Sequence, residues 1–103
     1  METRFGELRH RVTFQEPSGQ TADGYNAVIE GIAAKIETLG GSEALRYGAQ
    51  SASQLNRITV RYRTDLRPEY RIVDEHSRIM QIVNFGDPDG TQRWTQIVAT
   101  ELQ

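Results

Sequence analysis

Leu55-Asn56-Arg57-Ile58-Thr59-Val60-Arg61-Tyr62-Arg63 is the stretch on which the fold turns. Ile58, Val60 and Tyr62 alternate with Arg57, Thr59, Arg61 and Arg63. A period of two sends the first set to one face of a strand and the second to the other. Pro68, which has no N–H to give a ladder, ends the pairing. Downstream, residues 70–73, 78–85 and 93–102 read as further strands, separated by turns at 74–77 and at Gly86-Asp87-Pro88-Asp89-Gly90. Upstream, residues 8–15 place Leu8, Val12 and Phe14 on one side and Arg9, Arg11 and Thr13 on the other, a half-buried strand stopped by Pro17-Ser18-Gly19. A polar loop or hairpin end containing Asp23-Gly24 follows.

Residues 27–39 carry Val28, Ile29, Ile32, Ala34 and Ile36, with Lys35 and Glu37 opposite Ile36. They read as one long strand interrupted near Gly31, since an internal glycine marks a bulge or bend; a helix is the alternative. Gly40-Gly41 breaks the element, and Ser42 can cap a short helix running through Ala52, with Glu43 in its first turn. Leu45, Ala49 and Ala52 give that helix only a thin apolar stripe, and Gly48 costs it about 1 kcal/mol of propensity. The expected architecture is mainly β: a small antiparallel barrel or sandwich of about six strands, with one short helix in a long loop. The 103 residues suffice for one core and show no repeat or linker, so a single domain over residues 1–103 is expected. The segments 79–83 and 94–99 are apolar on both faces, which asks for a cover from a loop, a helix or a neighbouring subunit.

Composition narrows the function classes. The apolar fraction of 37% is that of a folding chain, and no apolar run approaches the ~20 residues a membrane span needs. Met1-Glu2-Thr3 lacks the basic start of a secretory signal, so the expectation is a soluble, unexported chain with no membrane partner. With zero cysteines there is neither a disulfide nor a thiolate nucleophile. A net charge of −2 argues against a surface that clings to polyanions as a whole. Yet all the basic residues but Lys35 are arginines, the cation favoured at bidentate contacts and interfaces.

No catalytic, metal or cofactor constellation emerges. His10 falls in a strand and His76 in a turn, neither with a histidine at ligand spacing. Asp87-Pro88-Asp89-Gly90 lacks the later ligands of a calcium loop and reads as a hairpin turn. Asp74-Glu75-His76 are consecutive and point in different directions. What stands out is Arg57, Arg61, Arg63, Arg67 and Arg71, the first three on one strand face. Like charges on a face repel unless opposed. Glu16, Glu30, Glu37, Glu43, Glu69 and Asp74 are carboxylates that could pair with them, within the sheet or across an interface. A solvated face, an intersubunit face and DNA-backbone contact are the three readings of this set.

Gly6-Glu7-Leu8-Arg9-His10-Arg11-Val12-Thr13-Phe14-Gln15 resembles the opening "G-x-L-R-H-R-[IV]-x-[IF]-Q" of the bacteriophage head–tail joining proteins, also called head closure, stopper or head–tail adaptor proteins. Ala34-Lys35-Ile36-Glu37-Thr38-Leu39-Gly40-Gly41-Ser42-Glu43 resembles their "A-x-[IV]-x-P-L-x-G-x-E" segment, and Ala49-Gln50 fits the region after it. Ile58-Thr59-Val60-Arg61-Tyr62-Arg63 resembles "I-x-[IV]-R-Y-R", and the run from Arg78 to Asn84 resembles "G-R-x-Y-x-I-x-x-[IV]". Nearly the whole chain is covered. Three positions depart from the pattern: Ala33 stands for a tryptophan, Thr38 for a proline and Met80 for a tyrosine.

The resemblance implies a small β-barrel that assembles as a homo-oligomeric ring in the virion neck, after assembly in the host cytoplasm. The ring would lie between a portal or adaptor protein and the tail terminator or tail proteins. It would continue the channel for double-stranded DNA, and a long loop would reach the lumen and hold packaged DNA. Here that loop corresponds to residues 40–56, with Gly40, Gly41, Arg46, Gln50 and Gln54 as channel candidates. Arg57, Arg61, Arg63, Glu37 and Glu43 are the subunit-interface candidates. The alternative is a monomeric OB-like module for single-stranded nucleic acid, which needs aromatics interleaved with cations on one face. Only Tyr62, Tyr70 and Trp94 are available for it, and Tyr62 is expected to face with the core.

Overall fold

Six antiparallel strands follow one another in the computed structural model, which describes residues 5–19, 24–39 and 55–101. After a short 3-10 turn at Phe5–Glu7 come β1 (His10–Pro17), β2 (Tyr25–Leu39), β3 (Leu55–Arg61), β4 (Arg71–Asp74), β5 (Ile79–Gly86) and β6 (Trp94–Glu101). They form one sheet in the order β1-β2-β3-β6-β5-β4, closed by pairing of β4 with β1, so the barrel of the two expected architectures is the one adopted. The expected helix over residues 42–52 lies outside the described residues, as do Gly40, Gly41, Glu43, Arg46, Gln50 and Gln54.

The interior follows from strand alternation. Val12 and Phe14 of β1, Ala34 of β2, Ile58 and Val60 of β3, Ile72 of β4, Met80 and Ile82 of β5, and Ile97 and Ala99 of β6 make one buried cluster. Leu66 and Tyr70, from the connection between β3 and β4, join it. The long strand expected over residues 27–39 begins earlier, at Tyr25, and its break falls where glycine permits it. Gly31 has φ +68°, and between Val12↔Ile32 and Phe14↔Ile29 β2 holds one residue more than β1. A second extra residue falls between Phe14↔Ile29 and Gln15↔Ala27. Such bulges tighten the twist, which lets fifteen residues wrap β1 at one end and β3 at the other.

Two sequence expectations are corrected. Tyr62 was to face the core with Ile58 and Val60, but the strand ends at Arg61 and Tyr62 is 36% exposed. Its N–H still donates to the Arg93 carbonyl at 3.1 Å, the last bond of the β3–β6 ladder before the chain turns away. For the same reason Arg63 does not share a strand face with Arg57 and Arg61; its backbone N–H donates to Thr95 Oγ1 at 3.0 Å beyond the strand.

Two departures from the family pattern meet at one buried amide, Thr38 from the exposed side and Met80 from within the barrel. Asn56, 1% exposed, accepts a hydrogen bond from Thr38 Oγ1 at 3.3 Å and directs its amide at Met80 Sδ at 3.7 Å. Thr38 and Met80 therefore sit on either side of one buried amide, and an apolar neighbour at position 38 would leave its oxygen without this donor. Asn56→Ala removes both contacts and leaves a cavity. It is expected to lower stability by about 2 kcal/mol in urea unfolding monitored by Trp94 fluorescence.

Candidate assembly surface

The arginine-bearing face of β3 is built by its neighbours. In the β2–β3 ladder Glu37 stands opposite Arg57 and Lys35 opposite Thr59; in the β3–β6 ladder Arg57 stands opposite Val98, Thr59 opposite Gln96 and Arg61 opposite Trp94. Glu37 thus opposes Arg57 across the outer surface, and Lys35 Nζ lies 3.6 Å from Glu7 and 3.9 Å from Glu37. This is more than a solvated row of cations. Thr59 is fully buried, Trp94 and Val98 nearly so, and Leu39, Leu55 and Val98 form a second apolar cluster apart from the barrel core. Leu39 and Leu55 are also partners in register, so both roots of the connection between β2 and β3 leave the barrel at one point.

Of the five arginines singled out by spacing, Arg57 and Arg61 share this face. Arg63 is engaged within its own chain: Nε donates to Asp65 Oδ1 at 2.9 Å and Nη2 to Oδ2 at 2.7 Å. That fork, chiefly through its hydrogen bonds, holds the Asp65 carboxyl below its usual range. Arg67 stays exposed, 4.0 Å from Glu69. Arg71 stacks on the Tyr25 ring at 3.6 Å and donates to Gln15 Oε1 at 2.6 Å, tying β4 to both strands of the first hairpin.

Sequence reasoning passed over Arg93. It stands just before β6 and, with Arg61, Tyr62, Gln92 and Trp94, lines a surface hollow of about 330 Å³. A second hollow, about 310 Å³, lies between Arg57, Phe85, Pro88, Gln96 and Val98. The signal for Arg93 was in the turn that presents it. Asp87 accepts from the Gly90 and Gln92 N–H groups at 3.1 and 2.7 Å, and Asp89 accepts from the Thr91 N–H and hydroxyl at 3.2 and 2.6 Å. Both carboxylates are turned into their own loop, which is the hairpin-turn chemistry expected of this segment.

At the other end of the barrel the Asp74-Glu75-His76 turn is structural. The Asp74 side chain, wholly buried, accepts from the His76 and Arg78 N–H groups at 2.9 and 2.8 Å and from Arg78 Nε at 2.6 Å. Burial alone would push this carboxyl up, but those donors and the Arg78 charge outweigh it and hold it below its ordinary value. Glu75 reaches back across the sheet, with Oε1 2.6 Å from His10 Nδ1 and Oε2 accepting from the Arg11 N–H. Among the described residues no group of three His, Asp or Glu side chains is arranged to hold a metal ion.

The comparisons with known proteins bear on this surface. The family model of the phage head completion protein matches residues 3–102. The chain belongs to that family. The resemblance carried by residues 6–15, 34–43 and 58–63 is thereby confirmed, and with it a phage head–tail structural role, a place in the virion and association with other phage head and tail proteins. No curated protein resembles the chain closely enough to count as a match. Among solved structures, protein SF1141 from Shigella flexneri 2a is similar in fold, with 24% identity and a TM-score of 0.67 over 96% of each chain. A component of the virion of a native gene transfer agent particle is similar as well, with 21% identity and a TM-score of 0.56 over 89% of this chain and 93% of its own.

A carboxyl whose folded pKa is depressed stabilises the fold above its unfolded value, near 4, and that contribution is lost as pH falls through the folded value. Asp74→Asn is therefore expected to cost about 2 kcal/mol at pH 7, with the gap to the parent protein narrowing as pH falls below 4. Urea unfolding at the two pH values reads this out.

Proposed function

We propose that this head completion protein works as a connector ring in the virion neck, between portal or adaptor and tail. It extends the DNA channel and helps retain packaged DNA through the segment joining β2 to β3. The observation that carries the reading is the family match over nearly the whole chain, joined to a barrel that carries Arg57 and Arg61 on the outer face of β3. A sister copy resting there would meet Arg57 and Arg61, opposed in part by Glu37. The neighbour from the gene transfer agent virion supports a particle role for the fold.

Ring geometry also reconciles the modest charge with DNA. Each subunit needs to contribute only about 1 kcal/mol of backbone attraction, because many copies act on one duplex. Weak, sequence-blind contact is what a sliding duplex requires. In this reading Gly40, Gly41, Arg46, Gln50 and Gln54 belong to the channel segment, whose roots are fixed by the Leu39 and Leu55 pair. Arg57, Arg61, Arg63, Glu37 and Glu43 belong to the contacts between copies. Stable contacts of this kind bury about 800 Å² per partner.

Charge reversal of Arg61 and Arg63 together tests the assignment. Arg61→Glu/Arg63→Glu is expected to abolish rings seen by electron microscopy, with portal-bearing capsids present, while the thermal midpoint falls by only a few degrees, roughly what about 1 kcal/mol gives a domain of this size. Rings that form undiminished contradict it.

A further inference from the structure

A ring of these barrels needs a second contact surface on every copy. When identical copies join head to tail, each contact brings together two different patches; a patch that meets its own kind gives a closed pair instead. The outer face of β3 and β6 supplies one patch. In the closed order β1-β2-β3-β6-β5-β4, β4 stands three places from β3 and β1 three places from β6, so the outer face of β1 and β4 lies across the barrel and looks the other way. Strand alternation decides what that face carries. Val12, Phe14 and Ile72 are buried in the core, so Arg11, Thr13 and Gln15 of β1 and Arg71 and Val73 of β4 are directed outward. Thr13 stands opposite Val73, and Val73 opposite Ile79 of β5, which makes an uncharged, half-buried strip across three strands. Arg71, at one side of the strip, is taken up by Tyr25 and Gln15. Arg11, at the other side, is different. Its backbone N–H serves Glu75, but its guanidinium is exposed with no partner among the described residues, and the residue opposite it on β2 is only Ala33.

We infer that the outer face of β1 and β4 is the counter-surface of the ring, on which the β3 and β6 face of the neighbouring copy rests, with Arg11 of one copy meeting Glu37 of the next. The charges match. Glu37 flanks the β3 face opposite Arg57, is 40% exposed at its side chain, and has Lys35 Nζ at 3.9 Å. A carboxylate has lone pairs for a second cation, and a guanidinium without a partner supplies the planar fork that fits one. The strip of Thr13, Val73 and Ile79 then lies at the centre of the contact, where interfaces are depleted of charge, and the Arg11 and Glu37 pair lies toward its rim. This assignment rests on the ring reading and names the half of the contact that the ring leaves open. It leaves the fold untouched, because Arg11 holds Glu75 through its backbone and not through its side chain.

The chain has no cysteine, so a pair introduced by substitution reports this contact alone. Arg11→Cys/Glu37→Cys is assembled with portal-bearing capsids and treated with a short bis-maleimide, whose reach replaces that of the two side chains removed. A denaturing gel is expected to show a ladder of multimers ending at the full ring, because each copy is linked to two others. Each single variant is expected to run as a monomer, and the thermal midpoint of all three to match that of the parent. In a second arm, Arg11→Glu is expected to abolish the rings seen by electron microscopy, since it sets like charges against each other at every contact. Rings without a ladder, or undiminished rings in Arg11→Glu, overturn the counter-surface and leave the ring standing. Linked pairs from Arg11→Cys alone overturn it as well, since the face would then meet its own kind. Neither ladder nor rings, with the parent protein also failing to form rings, overturns both readings.

Discussion

Closure of the sheet through β4 is the constraint on which the molecule depends. Four residues, Arg71–Asp74, pair with β1 on one side and β5 on the other, and without them the other five strands would be an open sheet with two bare edges. The chain invests its most specific polar contacts in so short a strand. Arg71 is held at one end by Tyr25 and Gln15, Asp74 at the other by Arg78 and two backbone N–H groups, and Glu75 then carries the closure past the strand end to Arg11 and His10. With the interior sealed, what remains for function is the outside of the barrel. That is why the distinctive features lie on the outer faces of β3 and β6 and at the rim where they meet.

Among the described residues there is no clustered set of metal ligands, and the histidines approach a carboxylate that ties one strand to a turn. Arg71 and Arg78 join separate parts of the fold, Arg63 makes a local fork with the exposed Asp65, and Arg57 and Arg61 lie on the outer face of β3, with Arg93 just before β6. The predominance of arginine over lysine reflects both uses. Within the fold the planar fork makes bidentate or stacked contacts; on the surface it offers the same geometry to a neighbour.

The strands were legible because their alternation is local. Val12 with Phe14, Ile58 with Val60, and Met80 with Ile82 each declare one face in a few residues, and Gly31 marked its bulge by lacking a side chain. Tyr62 was misread because alternation says nothing about where a strand stops; the strand ends one residue earlier, at Arg61, and Arg63 beyond it turns to Asp65. The bulge at Val83, which leaves that residue 45% exposed, carries no glycine and was invisible. The partnership of Asn56 with Thr38 and Met80, and the reach of Glu75 to His10, join residues far apart in sequence, so neither could be seen before the barrel was closed. Arg93 was overlooked for the same reason, since only the β3–β6 pairing brings it beside Arg61.

A reconstruction of the intact particle's neck, at a resolution that traces strands, tests the central claim most directly. The account predicts a closed ring of these six-stranded barrels around the DNA axis, with the outer face of β3 and β6 against the next copy and the connection from Leu39 to Leu55 directed toward the lumen. Barrels found elsewhere in the particle, or a neck ring in which the β3 and β6 face looks onto solvent, would contradict it.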